Sequence, residues 1–373
     1  MISQLTHFLQ EVGLVLGQKE MLHKALFLRF RQCPKILYLD QTDPKLATID
    51  ASNRQVRKKE IQKVLSLVHQ RFEEARQIPK SSDEKMVKAT QKALKAEVPT
   101  IFDATFIVDG FVVRVDVLCK NEEGYSFYEL KNSTGIKSSY YDDLTYSWVL
   151  LSKAGLALKE CYLLHINKQY VYNTPTLDHE QLFEEKRLTK PIKRRQNEIA
   201  ILLDNFKEEM EKKRDNYPLG TYCMEPYACE YKAHCWKAIP EVSLFNMQQL
   251  PLKTKLGLYE LGKVNLEEIP RELLTKPVQL KQLEVYTAKN RIVEKEPLST
   301  FLQKLEKPLA FLDFETYQLP LPKFQNSRPY EPIPFAFSLH TLVDDVLDQK
   351  AYIAQSIHED ARNTMAELLT KTI

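Results

Sequence analysis

Between Asn53 and Gln77, the apolar residues Ile61, Val64, Leu65, Val68 and Phe72 recur three and four positions apart, which predicts an amphipathic helix. From Thr100 to Leu130 the pattern changes to short runs of β-branched and aromatic residues, ATFIV, FVVRVDVLCK and YSFYELK. These read as consecutive strands, with Asn121 to Gly124 as a hairpin turn. Helical periodicity returns over Asp142 to Ala157, Cys161 to Ile166 reads as an apolar strand, and Tyr170 to Tyr172 as its hairpin partner. The expected product is a mixed α/β sheet.

A charged helix is predicted from Asn197 to Arg214, ending before the breaker Tyr217-Pro218-Leu219-Gly220 and a cysteine-rich loop. Residues 240–300 read as short helices punctuated by Pro251, Gly257, Gly262 and Pro270, a helical connector. At Leu309 a new strand opens (LAFLDFETY), followed by PFAFSLHTLV, QKAYIA and a final helix from about Glu359. The expected boundaries are 1–240, 241–305 and 306–373, with an α/β fold at either end of the connector.

With 373 residues and 43% apolar positions the chain can bury a sizeable core, and no run approaches the length a membrane span needs. Six cysteines are too few for a disulfide scaffold, and the N-terminal MISQLTHFLQEVG lacks a leader's pattern, so a cytoplasmic protein is expected. The net charge is only +3, so any footprint for nucleic acid must be local. Two stretches qualify: 12 Lys/Arg against 6 Asp/Glu between Arg54 and Glu97, and six basic residues with no acid in Lys186 to Arg195 (KRLTKPIKRR).

The chemistry concentrates where Asp116 stands on one predicted strand and Glu129-Leu130-Lys131 on the next. Residues i and i+2 of a strand share a face, so Glu129 and Lys131 project together and a neighbouring strand can set Asp116 beside them. Two carboxylates on one patch suit a hard cation such as Mg²⁺ or Mn²⁺, and the lysine supplies positive charge beside a reacting phosphate. An upstream helix, a strand with Asp, a hairpin, a strand with Glu-x-Lys and a long helix (DDLTYSWVLLSKAGL) together resemble the RecB-like PD-(D/E)xK nuclease core. The stretch YELKNSTGIKSSYYDDL is similar to that family's passage from catalytic strand to helix.

The resemblance implies Asp116, Glu129 and Lys131 as catalytic residues, His69 as a further one on the preceding helix, and a metal position made by His69, Asp116, Glu129 and Leu130. The family tends to carry a glutamine on the following helix. This chain has Ser147 there, too short to reach as a glutamine would. Tyr140, Tyr141 and Tyr146 are either core and rim residues or platforms for bases.

Cys223, Cys229 and Cys235 lie in TYCMEPYACEYKAHCW, each five residues from the next, and Cys33 stands alone in FRQCPKILYL. Four thiolates are the usual shell of a [4Fe-4S] cluster, whereas zinc sites commonly use more closely spaced pairs. The one-plus-three split, with Tyr227, His234 and Trp236, resembles the iron-sulfur branch of RecB-like nucleases, which includes AddB-type and CRISPR-adaptation exonucleases. There a cluster ties the two ends of the domain together. Cys119 and Cys161 read as buried thiols in apolar strands.

Asp313 and Glu315 fall at i and i+2 of a strand, which resembles the first metal-binding motif of RNase H-like, DEDD-type exonucleases. The layout as a whole resembles a bacterial family that joins an iron-sulfur RecB-like nuclease to such a domain, with YEPIPFAFSLH among the matching segments. Asp344, Asp345 and Asp348 are not placed to supply further acidic motifs, so the third domain is expected to be partial. The implied activity is metal-dependent phosphodiester hydrolysis, in DNA by resemblance. The alternative is a catalytically weak or inactive nucleic-acid-binding scaffold that keeps the fold.

Overall fold

The computed structural model describes residues 21–48, 54–72, 74–212, 214–344 and 346–371. The N-terminal stretch, Asn53 at the start of the first predicted helix, and Asp345 lie outside them. The chain divides into two compact units. One runs to His165 and resumes over Phe183–Glu284; the other comprises Ile166–Leu182 and Val285 onward. Both are α/β, and the described residues include twelve α-helices.

In the first unit, β1 (Leu22–His23) leads directly into α1 (Lys24–Gln32) and α2 (Lys35–Thr42), followed by α3 (Arg54–Gln70), β2 (Ala75–Gln77) and α4 (Asp83–Lys95). The strands β3 (Thr100–Val108), β4 (Phe111–Asn121) and β5 (Gly124–Lys131) come next, then α5 (Ser138–Lys153) and β6 (Leu158–Ile166). With β7 (Phe183–Arg187) they join a seven-stranded mixed sheet in the order β2-β3-β4-β5-β6-β7, with β1 also on β4. The hairpin turn predicted between β4 and β5 is present, since Asn121 pairs with Gly124.

The first predicted helix does not reach Gln77. It stops at Gln70, Glu74 takes a φ of 50°, and Ala75–Gln77 pairs in parallel with Thr100–Phe102. The helix predicted from Asp142 begins four residues earlier, at Ser138, and ends before Gly155, whose φ of 88° suits the residue after a helix. Tyr170 to Tyr172 form no strand. The outer neighbour of β6 is β7 (Phe183–Arg187), entered from the short α6 (His179–Leu182).

After β7, α7 (Thr189–Lys212) begins eight residues before the predicted Asn197, because Pro191 falls in its first turn, where a missing N–H costs nothing. The basic run Lys186 to Arg195 therefore covers the end of a strand and the start of a helix. α7 packs on α5, and Phe27, Phe127, Leu144, Leu150, Ile192 and Phe206 belong to the fully buried core between sheet and helices. The unit continues through α8 (Lys232–Cys235) and α9 (Leu252–Glu260), and α10 (Pro277–Ala288) follows.

The second unit contains α11 (Lys295–Gln303) and an antiparallel sheet in the order β10-β9-β8, made by β8 (Leu309–Tyr317), β9 (Ile333–Val343) and β10 (Val346–Ile353). These are the three predicted strands. The closing helix, α12 (Arg362–Thr370), packs Met365 against Phe337 and Leu339 of β9. Among the described residues no helix is long and apolar enough to cross a membrane.

Candidate active site and thiol cavity

The sheet opens at one point. β4 pairs with β1 at Phe111 and Val112, and with β5 only from Val117 onward. Between these contacts that edge of β4 is unpaired, while β5 turns away to follow β6 in parallel as far as Lys131↔His165. Asp116 sits at the fork. Its carboxylate accepts a hydrogen bond of 2.6 Å from the backbone N–H of Leu130, taking a donor that the diverging ladder leaves free. Leu130, grouped with the metal positions by resemblance, thus meets Asp116 through its backbone.

Glu129 is 3% exposed, and Lys131 Nζ stands 3.8 Å from its Oε2. Two further groups complete the cluster. Lys24, the first residue of α1, is set there by the pairing of β1 with β4 and places its Nζ 2.6 Å from Glu129 Oε1 and 2.7 Å from Asp143 Oδ1. Asp143, on the buried face of α5, also accepts a close hydrogen bond from Lys131. Ser147 follows one helical turn later and donates to Glu129 Oε1 at 2.8 Å. The serine, shorter than the glutamine that the resemblance implies there, hydrogen-bonds the Glu129 carboxylate.

The electrostatics follow from burying three carboxylates with two ammonium groups. Burial pushes Glu129 up to about 7, with Asp143 and Asp116 adding to it against the pull of Lys24 and Lys131. Burial also raises Asp116, opposed by Lys131 and the Leu130 N–H. Asp143 goes the other way: burial would raise it, but Lys24 and Lys131 together hold it well below the usual carboxylate range. Lys24 and Lys131 are raised, because Asp143 and Glu129 outweigh their own burial.

His69, on the last turn of α3, stacks on Phe102 with ring centroids 4.0 Å apart. Burial lowers its pKa, and the opposing fields of Asp103 and Asp116 do not restore it, so the ring is neutral near pH 7. Asp103 marks the strand irregularity beside it. The β3–β4 register is unbroken from Phe102↔Val117 to Ala104↔Val115, but Asp103 between them has a φ of 55°, a left-handed conformation that costs energy within a strand. Its carboxylate accepts 2.7 Å from Gln77. Tyr146 belongs to the core, donating to the carbonyls of Val112 and Leu22 at 2.8 and 3.2 Å, while Lys131 Nζ lies 5.6 Å from the Tyr140 ring centroid.

Among the described residues no three His, Cys, Asp or Glu side chains stand ready to hold an ion. In the acidic cluster the lysines lie against the carboxylate oxygens a cation would take. The donor set itself, buried carboxylates with a neutral imidazole nearby, is one that a hard divalent cation accepts.

The four bracket cysteines meet at one cavity. Cys33 follows α1, Cys223 ends a 3₁₀ turn, Cys235 ends α8, and all three line the cavity with Cys229. Burial, with the charges of Cys229 and Cys223 adding, raises Cys33 to about 11. Polar bonds hold the two segments together. Arg29 grips Asp40 with two bonds of 2.6 and 2.9 Å and reaches Glu230 at 3.2 Å, Tyr231 donates to Asp40 at 2.6 Å, and Gln32 donates to the carbonyls of Tyr222 and Tyr227 at 3.0 and 2.8 Å. Thiols are the donors an iron-sulfur cluster takes, and these four line one cavity without forming a ready ion-binding group. Tyr227 is exposed, whereas Trp236 packs on Phe245 at 4.6 Å. Cys161 is fully buried and Cys119 partly so, in β6 and β4.

Asp313 and Glu315 lie exposed on β8, opposite Ser338 and Ala336 of β9. Lys24, Asp143 and Asp103 were not anticipated from the sequence. Asp143 had a signal, since it precedes Ser147 by four residues on one helix face; Lys24 had none.

No curated protein matches the chain. A family model described as a domain of unknown function, DUF2779, matches residues 310–373, the segment from β8 to α12 that contains Asp313 and Glu315.

Proposed function

We propose that the chain is a metal-dependent nuclease with a PD-(D/E)xK-type core, hydrolysing phosphodiester bonds in DNA. One observation carries this reading. Asp116, Glu129 and Lys131, expected from two short motifs, lie together where β4 and β5 part, Asp116 bonded to the Leu130 N–H at 2.6 Å and Lys131 3.8 Å from Glu129. Asp116 and Glu129, with His69 and the backbone at Leu130 beside them, are the groups that would hold Mg²⁺ or Mn²⁺. Bound there, such an ion would polarise a phosphoryl oxygen and acidify its water.

The chain's own residues do the rest. Lys131 offsets negative charge growing on the phosphoryl oxygens, Asp143 holds Lys131 in place, and Ser147 orients Glu129. The thiol cavity supports a structural [4Fe-4S] cluster on Cys33, Cys223, Cys229 and Cys235. Six free cysteines accord with a reducing, cytoplasmic setting. For the second unit, an RNase H-like reading rests on Asp313 and Glu315 sharing one face of β8.

A second reading, a nucleic-acid-binding scaffold with little catalysis, is favoured by the ion pairs that Lys24 and Lys131 make with the very carboxylates a metal requires. Labelled single- and double-stranded DNA and RNA, incubated with Mn²⁺ and wild type or Glu129→Ala, separate the two. Cleavage by wild type alone is expected. Cutting that persists in the variant would point to a contaminant, and wild type that binds DNA yet cuts nothing gives the chain to the scaffold reading.

A further inference from the structure

The basic run Lys186 to Arg195 takes no part in the site described above, yet it forms a concave surface. Arg187, Thr189, Lys190, Lys193 and Arg194 line an open pocket of about 570 Å³ where β7 passes into α7. Four of these five residues are cations, and no carboxylate lines the pocket. Two already have neighbours: Arg187 pairs with Glu160 at 2.9 Å, and Lys193 Nζ lies 5.2 Å from the centroid of the Trp148 ring. Lys190 and Arg194 are exposed and form no ion pair with any described residue. The fold brings like charges together here and neutralises only part of them.

Like charges gathered in one hollow repel, and the arrangement is stabilised by a polyanion that bridges them. The other basic stretch, Arg54 to Glu97, differs in kind. It is spread over α3, β2 and α4 with acids between its cations, among them Lys120-paired Glu97 and Arg114-paired Asp83. The pocket is also joined to the acidic cluster through α5. That helix carries Asp143 and Ser147 at the cluster, and its next residue, Trp148, supports Lys193. Arg195, one residue beyond the pocket, is bonded to Asp142 on the same helix.

We propose that this pocket is a phosphate-backbone site that grips the nucleic-acid substrate apart from the scissile bond, with Lys190 and Arg194 as its principal contacts. The inference rests on nucleic acid being the substrate class. It requires no base recognition, because lysine and arginine in an open hollow read phosphate charge rather than sequence.

The test is fluorescence anisotropy of the full chain with a labelled 20-nucleotide DNA strand, without added divalent metal, over a series of salt concentrations. Lys190→Glu with Arg194→Glu should weaken binding about tenfold at moderate salt and lower the slope of log affinity against log salt by about two, one per lost phosphate contact. Lys88→Glu with Lys92→Glu, which makes the same change in net charge on exposed positions of α4, should move neither by more than about twofold. Equal losses in both double variants would reduce the effect to bulk charge and overturn the proposal. So would an unchanged slope in the pocket variant, or adhesion to phosphatidylserine vesicles with no binding of DNA or RNA. Because cleavage is not the readout, a protein that cuts nothing yet loses its grip in the pocket variant keeps this inference and discards the nuclease reading.

Discussion

Lys24 Nζ lies 2.6 Å from Glu129 Oε1, a contact between the first turn of α1 and a strand residue 105 positions later. The same ammonium lies 2.7 Å from Asp143 and 3.2 Å from the Ser147 hydroxyl. A buried carboxylate needs a counter-charge, and in this state Lys24 provides it to two of them. A divalent ion that takes Glu129 Oε1 as a ligand must first move Lys24 away.

Replacing Lys24 with methionine removes that competitor at similar volume. With Asp143 and Glu129 left less well compensated, the metal-free variant should lose stability on the order of 3 kcal/mol. Its Mn²⁺ affinity at pH 8 should rise about tenfold, since no ammonium has to be displaced. Thermal unfolding with and without Mn²⁺, alongside calorimetric titration, reads both effects. A variant that binds Mn²⁺ more weakly than wild type would mean that Lys24 helps build the metal site.

The acidity of Glu129 sets a pH dependence. Burial pushes it up to about 7, above its ordinary value of 4.5, so between these values the folded protein holds a proton that the unfolded chain has released. The metal-free protein should therefore lose stability as pH rises through this window. Metal needs the carboxylate form, so Mn²⁺ affinity should climb about tenfold per pH unit up to about 7 and level off above it. Titrations at pH 6, 7 and 8 check this, and a flat profile would remove Glu129 from the ligand set.

Within the cluster, Asp116→Ala, Glu129→Ala and Lys131→Ala should each lower metal-dependent cleavage at least a hundredfold, about 2.7 kcal/mol of transition-state stabilisation. The first two should also weaken Mn²⁺ binding. Lys131→Ala should nearly spare it, because Lys131 stands 3.8 Å from Glu129 where Lys24 stands at 2.6 Å, and under the proposed function its ammonium serves the reacting phosphate. Ser147→Ala removes one hydrogen bond to Glu129 and should cost no more than about tenfold. If Ser147→Ala proved as damaging as Glu129→Ala, the serine would have to act on the substrate itself.

How much of this was legible in the sequence depends on the range over which each signal acts. β3, β4, β5 and the hairpin between them were readable because β-branched runs and a Glu-Glu-Gly turn are local features, and with them came the face shared by Glu129 and Lys131. Ala75–Gln77 was missed because three residues carry no readable alternation, and only pairing with β3 makes them a strand. Tyr170 to Tyr172 had strand-like composition, but β6 is covered instead by β7, whose FEEKR is more polar. The start of α7 was hidden by Pro191, a helix breaker everywhere except in a first turn. Lys24 was invisible for a different reason: its role comes from a two-residue parallel pairing of β1 with β4, which no local pattern announces.

The thiol cavity separates a metal clip from a polar one, and two substitutions distinguish them. Anaerobically purified protein should be brown and hold about four irons per chain, as four thiolates around one cavity imply. Cys229→Ala should lose iron and colour while leaving the Arg29–Glu230, Tyr231–Asp40 and Gln32 bonds that dock the cysteine loop against α1 and α2. Asp40→Ala does the reverse. It keeps all four thiols but takes from Arg29 its nearer carboxylate, leaving Glu230 at 3.2 Å, and takes the acceptor from the Tyr231 hydroxyl, a loss on the order of 2 kcal/mol. Limited proteolysis compares the two. If the cluster is the main constraint, because it closes a loop of nearly 200 residues in the unfolded chain, Cys229→Ala should be cut sooner than Asp40→Ala. Faster cutting of Asp40→Ala would make the polar network the principal clip, and colourless wild-type protein holding one zinc would end the iron-sulfur assignment.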